Sequence, residues 1–139
     1  MSWAPASTAT AIAPAATGLA ILLWAADPAE PARLATPFAH AAAAAAMEMT
    51  VEIYFAARAV LLLQPGVAEG LRASAHFDKT IADWMQDAQS HGAEFLACSD
   101  ALAANGLRFS DLIPTCQRHG GSVQFIARAA DPAWATLVF

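Results

Sequence analysis

"EFLACSDALAANG", residues 94–106, decides how this chain is read. Phe95, Leu96 and Ala97 form a short, unbroken apolar run that stops at Cys98. A run with no polar alternate marks a strand buried on both faces, as in a parallel sheet. From Ser99 the composition turns polar and helix-favouring, and Asn105-Gly106 closes the stretch. Strand three is therefore expected over Ala93–Ala97, followed at once by a short helix. In open α/β sheets, reactive groups collect at the carboxyl ends of the strands. Cys98 stands at such an end, where helix N-terminal amides and the helix dipole favour a thiolate, with Asp100 opposing. The bland alternative is a small buried hydrophobe, a common role for a free cysteine.

Working outward, "GLAILLWAAD" gives strand one, about Leu19–Trp24. "TPFAHAAAAAAMEM" reads as a helix with Thr36 as N-cap and Pro37 first. Thr50–Ala56 alternates and is rich in β-branched and aromatic residues, so it is strand two. "RAVLLLQPGVAEGLR" is a short helix or loop. "HFDKTIADWMQDAQSHG" is a helix with Phe77, Ile81, Trp84, Met85 and Ala88 on one face, ending at Gly92. "FSDLIPTCQRHGG" is expected as a helix carrying Cys116, "SVQFIARA" as strand four, and "AWATLVF" as a last strand. Alternating strands and helices predict an α/β fold, a three-layer α/β/α sandwich with a mostly parallel five-stranded sheet. Four segments are then expected at the carboxyl edge: residues 24–27, 55–58, 97–100 and 126–131.

Composition narrows the function. The chain has 139 residues, one domain's worth, at 58% hydrophobic and 14% charged. Soluble domains carry about 25% charged residues, so some apolar surface is left for a partner, and a homo-oligomer is expected. The net charge of −5, without a basic cluster, argues against nucleic acid. The longest apolar helix is too short to cross a bilayer. Residues 1–17 lack a basic start and carry two prolines, so a flexible tail is expected there and the domain over 18–139. The expected compartment is the cytoplasm, where thiols stay reduced.

Cys116 is a packed thiol or a resolving cysteine; the latter needs Cα atoms within about 7 Å. His40 interrupts an apolar helix and is either a helix-contact residue or a proton donor for Cys98. Arg58 either faces solvent or holds an anion or the thiolate. Asp27 caps a turn. His40, His76, His91 and His119 have no zinc spacing, so no metal is expected. "WAADPAEP" after strand one has no glycine, which argues against a dinucleotide or flavin cofactor.

"TPFAHAAAAAAMEMTVEIYF", "KTIADWMQDAQSHGAEFLACSDAL" and the terminal "WATLVF" resemble the DsrE/DsrF-like proteins of sulfur trafficking, over about residues 19–139. The motif that carries the resemblance is a strand, Cys98-Ser99-Asp100-Ala101 and a short helix. The resemblance implies a sulfurtransferase-like sulfur relay in which Cys98, with Ser99 beside it, takes sulfane sulfur as a persulfide. It also implies sulfur-donor and acceptor proteins, the acceptor thiol being such as that of a small TusA-like carrier, no cofactor, and assembly as a trimer or hexamer. A non-catalytic scaffold of the same fold and a thiol peroxidase-like protein are the alternatives.

Overall fold

The computed structural model describes residues 15–139. Most of the tail expected over residues 1–17 lies outside them. Thr17 is already tied in, donating its N–H to the Ala133 carbonyl at 2.8 Å and accepting from Thr50 N–H at 3.0 Å.

Five strands form one sheet: β1 (Gly18–Leu23), β2 (Thr50–Phe55), β3 (Glu94–Ala97), β4 (Arg118–His119) and β5 (Trp134–Val138). Their order is β4-β3-β2-β1-β5, and every pairing is parallel. Four α-helices accompany them: α1 (Ala35–Ala46), α2 (Ile81–Ser90), α3 (Ser99–Ala104) and α4 (Ser122–Ala129). The expected α/β sandwich with five strands holds.

Side chains alternate across each strand, so the sheet has two distinct faces. Leu19, Ile21, Leu23, Val51, Ile53, Phe55, Phe95 and Ala97 point into the main core. There α1 brings Phe38, whose ring lies 6.1 Å from those of both Phe55 and Phe95. Ile81, Met85 and Ala88 of α2 and the 3-10 turns of Ala57–Leu63 close that core. The opposite face is covered by α4, through a small cluster of Ala20, Tyr54, Leu96 and Phe125.

Several boundaries differ from expectation, each for a physical reason. Helix α1 begins at Ala35 because a 3-10 turn over Pro31–Arg33 runs straight into it; Leu34, not Thr36, is the N-cap. Pro37 is tolerated there because the first amides of a helix have no intrahelical acceptor. Helix α2 starts later than expected, where Thr80 and Asp83 form a reciprocal capping box at 3.1 and 2.9 Å. Phe77 thus falls outside the helix and is exposed rather than on its apolar face.

The larger corrections lie in residues 107–130. "FSDLIPTCQRHGG" is not an α-helix: it makes one 3-10 turn at Phe109–Asp111, a loop, and then β4. "SVQFIARA" is helix α4, not strand four. Its Val, Phe and Ile satisfy a strand pattern, but Phe125 and Arg128, three apart, both reach the sheet. Residues 126–131 are therefore not at a strand's carboxyl end; that place belongs to Gly120-Gly121.

Candidate functional site

Strand β3 delivers Cys98 to the carboxyl edge of the sheet. Its N–H donates to the Phe55 carbonyl at 3.0 Å, extending the β2–β3 ladder by one residue. Its carbonyl accepts from Leu102 N–H at 3.0 Å, so Cys98 is the N-cap of α3, without a side-chain cap bond. The thiol is therefore free of local hydrogen bonding duty, and it is half-buried.

Strand β4 ends beside it. Gly120 N–H donates to the Ala97 carbonyl at 3.1 Å. A Cβ at Gly120 would stand 2.6 Å from Leu96 Cδ2 and 2.8 Å from Leu96 Cβ, so only glycine allows this approach. A Cβ at Gly121 would lie 3.9 Å from Cys98 Sγ, which places the backbone entering α4 against the thiol.

Two cavities meet at Cys98. One, of about 200 Å3, is apolar and lies under α4, walled by Leu22, Tyr54, Ala56, Phe125 and Ile126. The other is more open and is lined by Ser99, Asp100, His119, Val123 and Gln124. Ser99 Oγ and His119 Nδ1 are 3.0 Å apart, and the His119 ring stacks on Phe109 with centroids 4.1 Å apart. A separate cleft of about 250 Å3 between α2 and residues 113–115 has Gln64, Glu69, Gln86 and Gln89 on its walls, with no cysteine or histidine.

Tyr54, in the wall of the Cys98 cavity, belongs to an ion cluster. Glu52, 2% exposed, accepts from Tyr54 Oη at 2.7 Å and from Arg128 Nε and Nη2 at 2.8 and 3.1 Å. Arg118 Nη1 lies 3.3 Å away and also pairs with Glu94. Burial acts to raise the Glu52 pKa, but the bonds from Arg128 and Tyr54 and the field of both arginines outweigh it, and the net shift is downward. Burial and the Glu52 carboxylate push the Tyr54 hydroxyl well above its ordinary range, so it stays a donor. Arg128 in turn stacks over Trp134, 4.1 Å from the ring centroid. This chain of contacts pins α4 and Tyr54 together around the cavity.

The other sequence candidates fall elsewhere, apart from Ser99. Arg58 donates to Asp27 at 2.7 Å across the ends of β2 and β1 and lines neither cavity at Cys98. The Ala29 amide and Arg58 hold the Asp27 pKa below its ordinary value. His40 is on α1, on the other side of the sheet, edge-on to Phe139 at 5.9 Å. Phe139 follows β5, three strand spacings from β3, or about 14 Å. Cys116 is buried in the main core, its Sγ 3.7 Å from the Phe95 carbonyl, and burial raises its pKa. Phe95 is three residues behind Cys98, about 10 Å along the strand, beyond disulfide reach. His119 and the Gly120-Gly121 pair are the site residues that sequence reasoning missed. The signal was a Gly-Gly pair placed before an amphipathic run, which reads equally as the end of a helix.

Among the described residues no group of three or more His, Cys, Asp or Glu could hold a metal ion. No helix among them is long and apolar enough to cross a membrane.

The model of the DsrE/DsrF-like family matches residues 20–139. No curated protein matches the chain. Among solved structures, the fold is similar to that of a protein of unknown function, MTH1491 from Methanobacterium thermoautotrophicum. The TM-score is 0.60 at 18% identity, covering 86% of this chain and 96% of that one.

Proposed function

The chain belongs to the DsrE/DsrF-like family, and from that premise we propose that it is a sulfur-relay protein carrying sulfane sulfur as a persulfide on Cys98. The observation that carries this reading is the contrast between its thiols. Cys98 stands half-exposed where two cavities meet, and Cys116 is sealed in the core.

In the loading step the Cys98 thiolate attacks the outer sulfur of a donor persulfide, R–S–SH. A new S–S bond forms to Cys98, the donor S–S bond breaks, and R–S⁻ leaves with the bonding pair. The product is Cys98–S–SH, and no external oxidant or reductant is consumed. Release reverses the roles: an acceptor thiolate takes the outer sulfur and Cys98 leaves as the thiolate. His119, held by Ser99 in the same cavity, takes the proton from the Cys98 thiol before attack and returns it to the departing R–S⁻. The acceptor is a protein thiol, that of a small TusA-like carrier, in the cytoplasm.

The protein works as a homo-oligomer, a trimer or a hexamer. Val123 and Ile126 on α4, at the mouth and rim of the two cavities, and Val138 on edge strand β5, are 88%, 60% and 59% exposed. Apolar side chains exposed to that extent favour a covering subunit. Sulfur loading tests the relay: a persulfide donor should add sulfur to the wild type and to Cys116→Ser, and none to Cys98→Ser.

A further inference from the structure

All seven lysines and arginines of the chain are engaged. Arg33 pairs with Glu30, Arg58 with Asp27, Arg72 with Asp78, Lys79 with Asp87, Arg108 with Asp111, Arg118 with Glu52 and Glu94, and Arg128 with Glu52. Residues 1–14 contain neither lysine nor arginine. Neither cavity at Cys98 is lined by one. The formal charge at the mouth is the carboxylate of Asp100, exposed and paired with no cation among the described residues. Inward from Cys98 the walls are Leu22, Tyr54, Phe125 and Ile126, with the Tyr54 hydroxyl committed to Glu52.

An anion entering this site would lose water, approach Asp100 and meet no lysine or arginine, with only His119 and the amides at the starts of α3 and α4 to offset the repulsion. Buried charge without a partner is strongly disfavoured. An uncharged group meets the opposite conditions. The inner cavity of about 200 Å3 suits a ring the size of benzene, which an apolar cavity of about 150 Å3 can hold. Sulfane sulfur is itself polarisable and weakly hydrated, and it would lie at the Cys98 end.

We propose that the Cys98 cavity selects an organic persulfide with an uncharged R group, reacting as neutral R–S–SH with its hydrocarbon group under α4, and that Asp100 turns away small sulfur oxyanions. This rests on the relay reading above and names its substrate class. The favoured step is Cys98–S⁻ + R–S–SH → Cys98–S–SH + R–S⁻, with R uncharged. The disfavoured one is Cys98–S⁻ + S₂O₃²⁻ → Cys98–S–S⁻ + SO₃²⁻.

The test uses the full chain with Cys116→Ser as background, at pH 8 and low salt. Rates of Cys98 alkylation by iodoacetamide and by iodoacetate are taken as a ratio and divided by the same ratio for 2-mercaptoethanol. The expected normalised preference for the neutral reagent is about tenfold. Added salt should reduce it, because the repulsion acts at an exposed mouth. Asp100→Asn should reduce it about threefold, and Glu69→Gln, an exposed carboxylate in another cleft, should leave it unchanged. A normalised ratio near one, or a ratio indifferent to Asp100→Asn, overturns the proposal. Loading by benzyl persulfide and by thiosulfate forms the second arm. Equal loading by both overturns the selectivity and leaves the relay intact. The alkylation preference without loading by either donor supports the selectivity and contradicts the relay.

Discussion

The two faces of the sheet are built on different principles. The face under α1 and α2 is a dry hydrocarbon core, with Phe38, Phe55 and Phe95 interlocked at its centre. The face under α4 has one buried apolar anchor from the helix, Phe125, and depends on a buried carboxylate with two arginines for the rest. The first face stabilises the fold. The second leaves room for a cavity, the half-buried Cys98 and exposed apolar side chains. The difference puts the candidate site on the thinner layer, where packing is incomplete.

The largest expected effect separates the faces directly. Phe38→Ala should cost about 4 kcal/mol, as large aromatic deletions in a full core do. Phe125→Ala, at the rim of a small cluster, should cost about 2 kcal/mol because α4 can shift to fill the gap. Denaturant unfolding gives both numbers. Amide exchange adds the location: Phe125→Ala should expose α4 while β1–β3 remain protected. Equal losses from the two variants would remove the distinction.

Next in size is the ion cluster. Glu52→Gln should destabilise by about 2 kcal/mol at neutral pH, because two arginines lose their charged partner. The Glu52 pKa is lowered in the folded state from its ordinary 4.5. Its contribution is therefore present above that ordinary value and is lost as pH falls through the lower, folded one. The stability gap between wild type and Glu52→Gln should narrow as pH is lowered; a gap that widens toward acid would contradict the assignment.

The same contrast explains what the sequence revealed. Strands β1 and β3 were legible because burial on both faces writes itself as continuous apolar runs, and β2 because its β-branched and aromatic residues alternate. Helix α3 and Cys98 followed from the switch in composition at Ser99. Strand β5 was legible too. Strand β4 was not, since Arg118 and His119 are polar and exposed on a sheet edge and carry no hydrophobic period. Helix α4 reads as a strand because Val123 and Phe125 also satisfy a two-residue alternation, although the run is amphipathic at helical spacing. With β4 and α4 missed, His119 and Gly120 could not be placed beside Cys98. Their proximity depends on a pairing between residues 97 and 119 that no local pattern records.

Smaller effects sharpen the picture of the thin face. Gly120→Ala should cost about 1–2 kcal/mol, since its Cβ overlaps Leu96. It should also change the rate of Cys98 alkylation by displacing Gly121 from the thiol. Unaltered reactivity would mean that the β4 end does not shape the site. Smallest for stability is the pair Val123→Ser and Ile126→Ser, expected within about 0.5 kcal/mol for surface positions. Light scattering should nevertheless move from an oligomer toward the mass of a single chain. An oligomer that persists would place the subunit contact away from α4.

The most direct test of the central claim is intact-mass analysis after incubation with an organic persulfide. Wild type and Cys116→Ser should each gain the mass of one sulfur atom, reversible by an added thiol, and Cys98→Ser should gain none. Sulfur retained on Cys98→Ser and lost on Cys116→Ser would contradict the account.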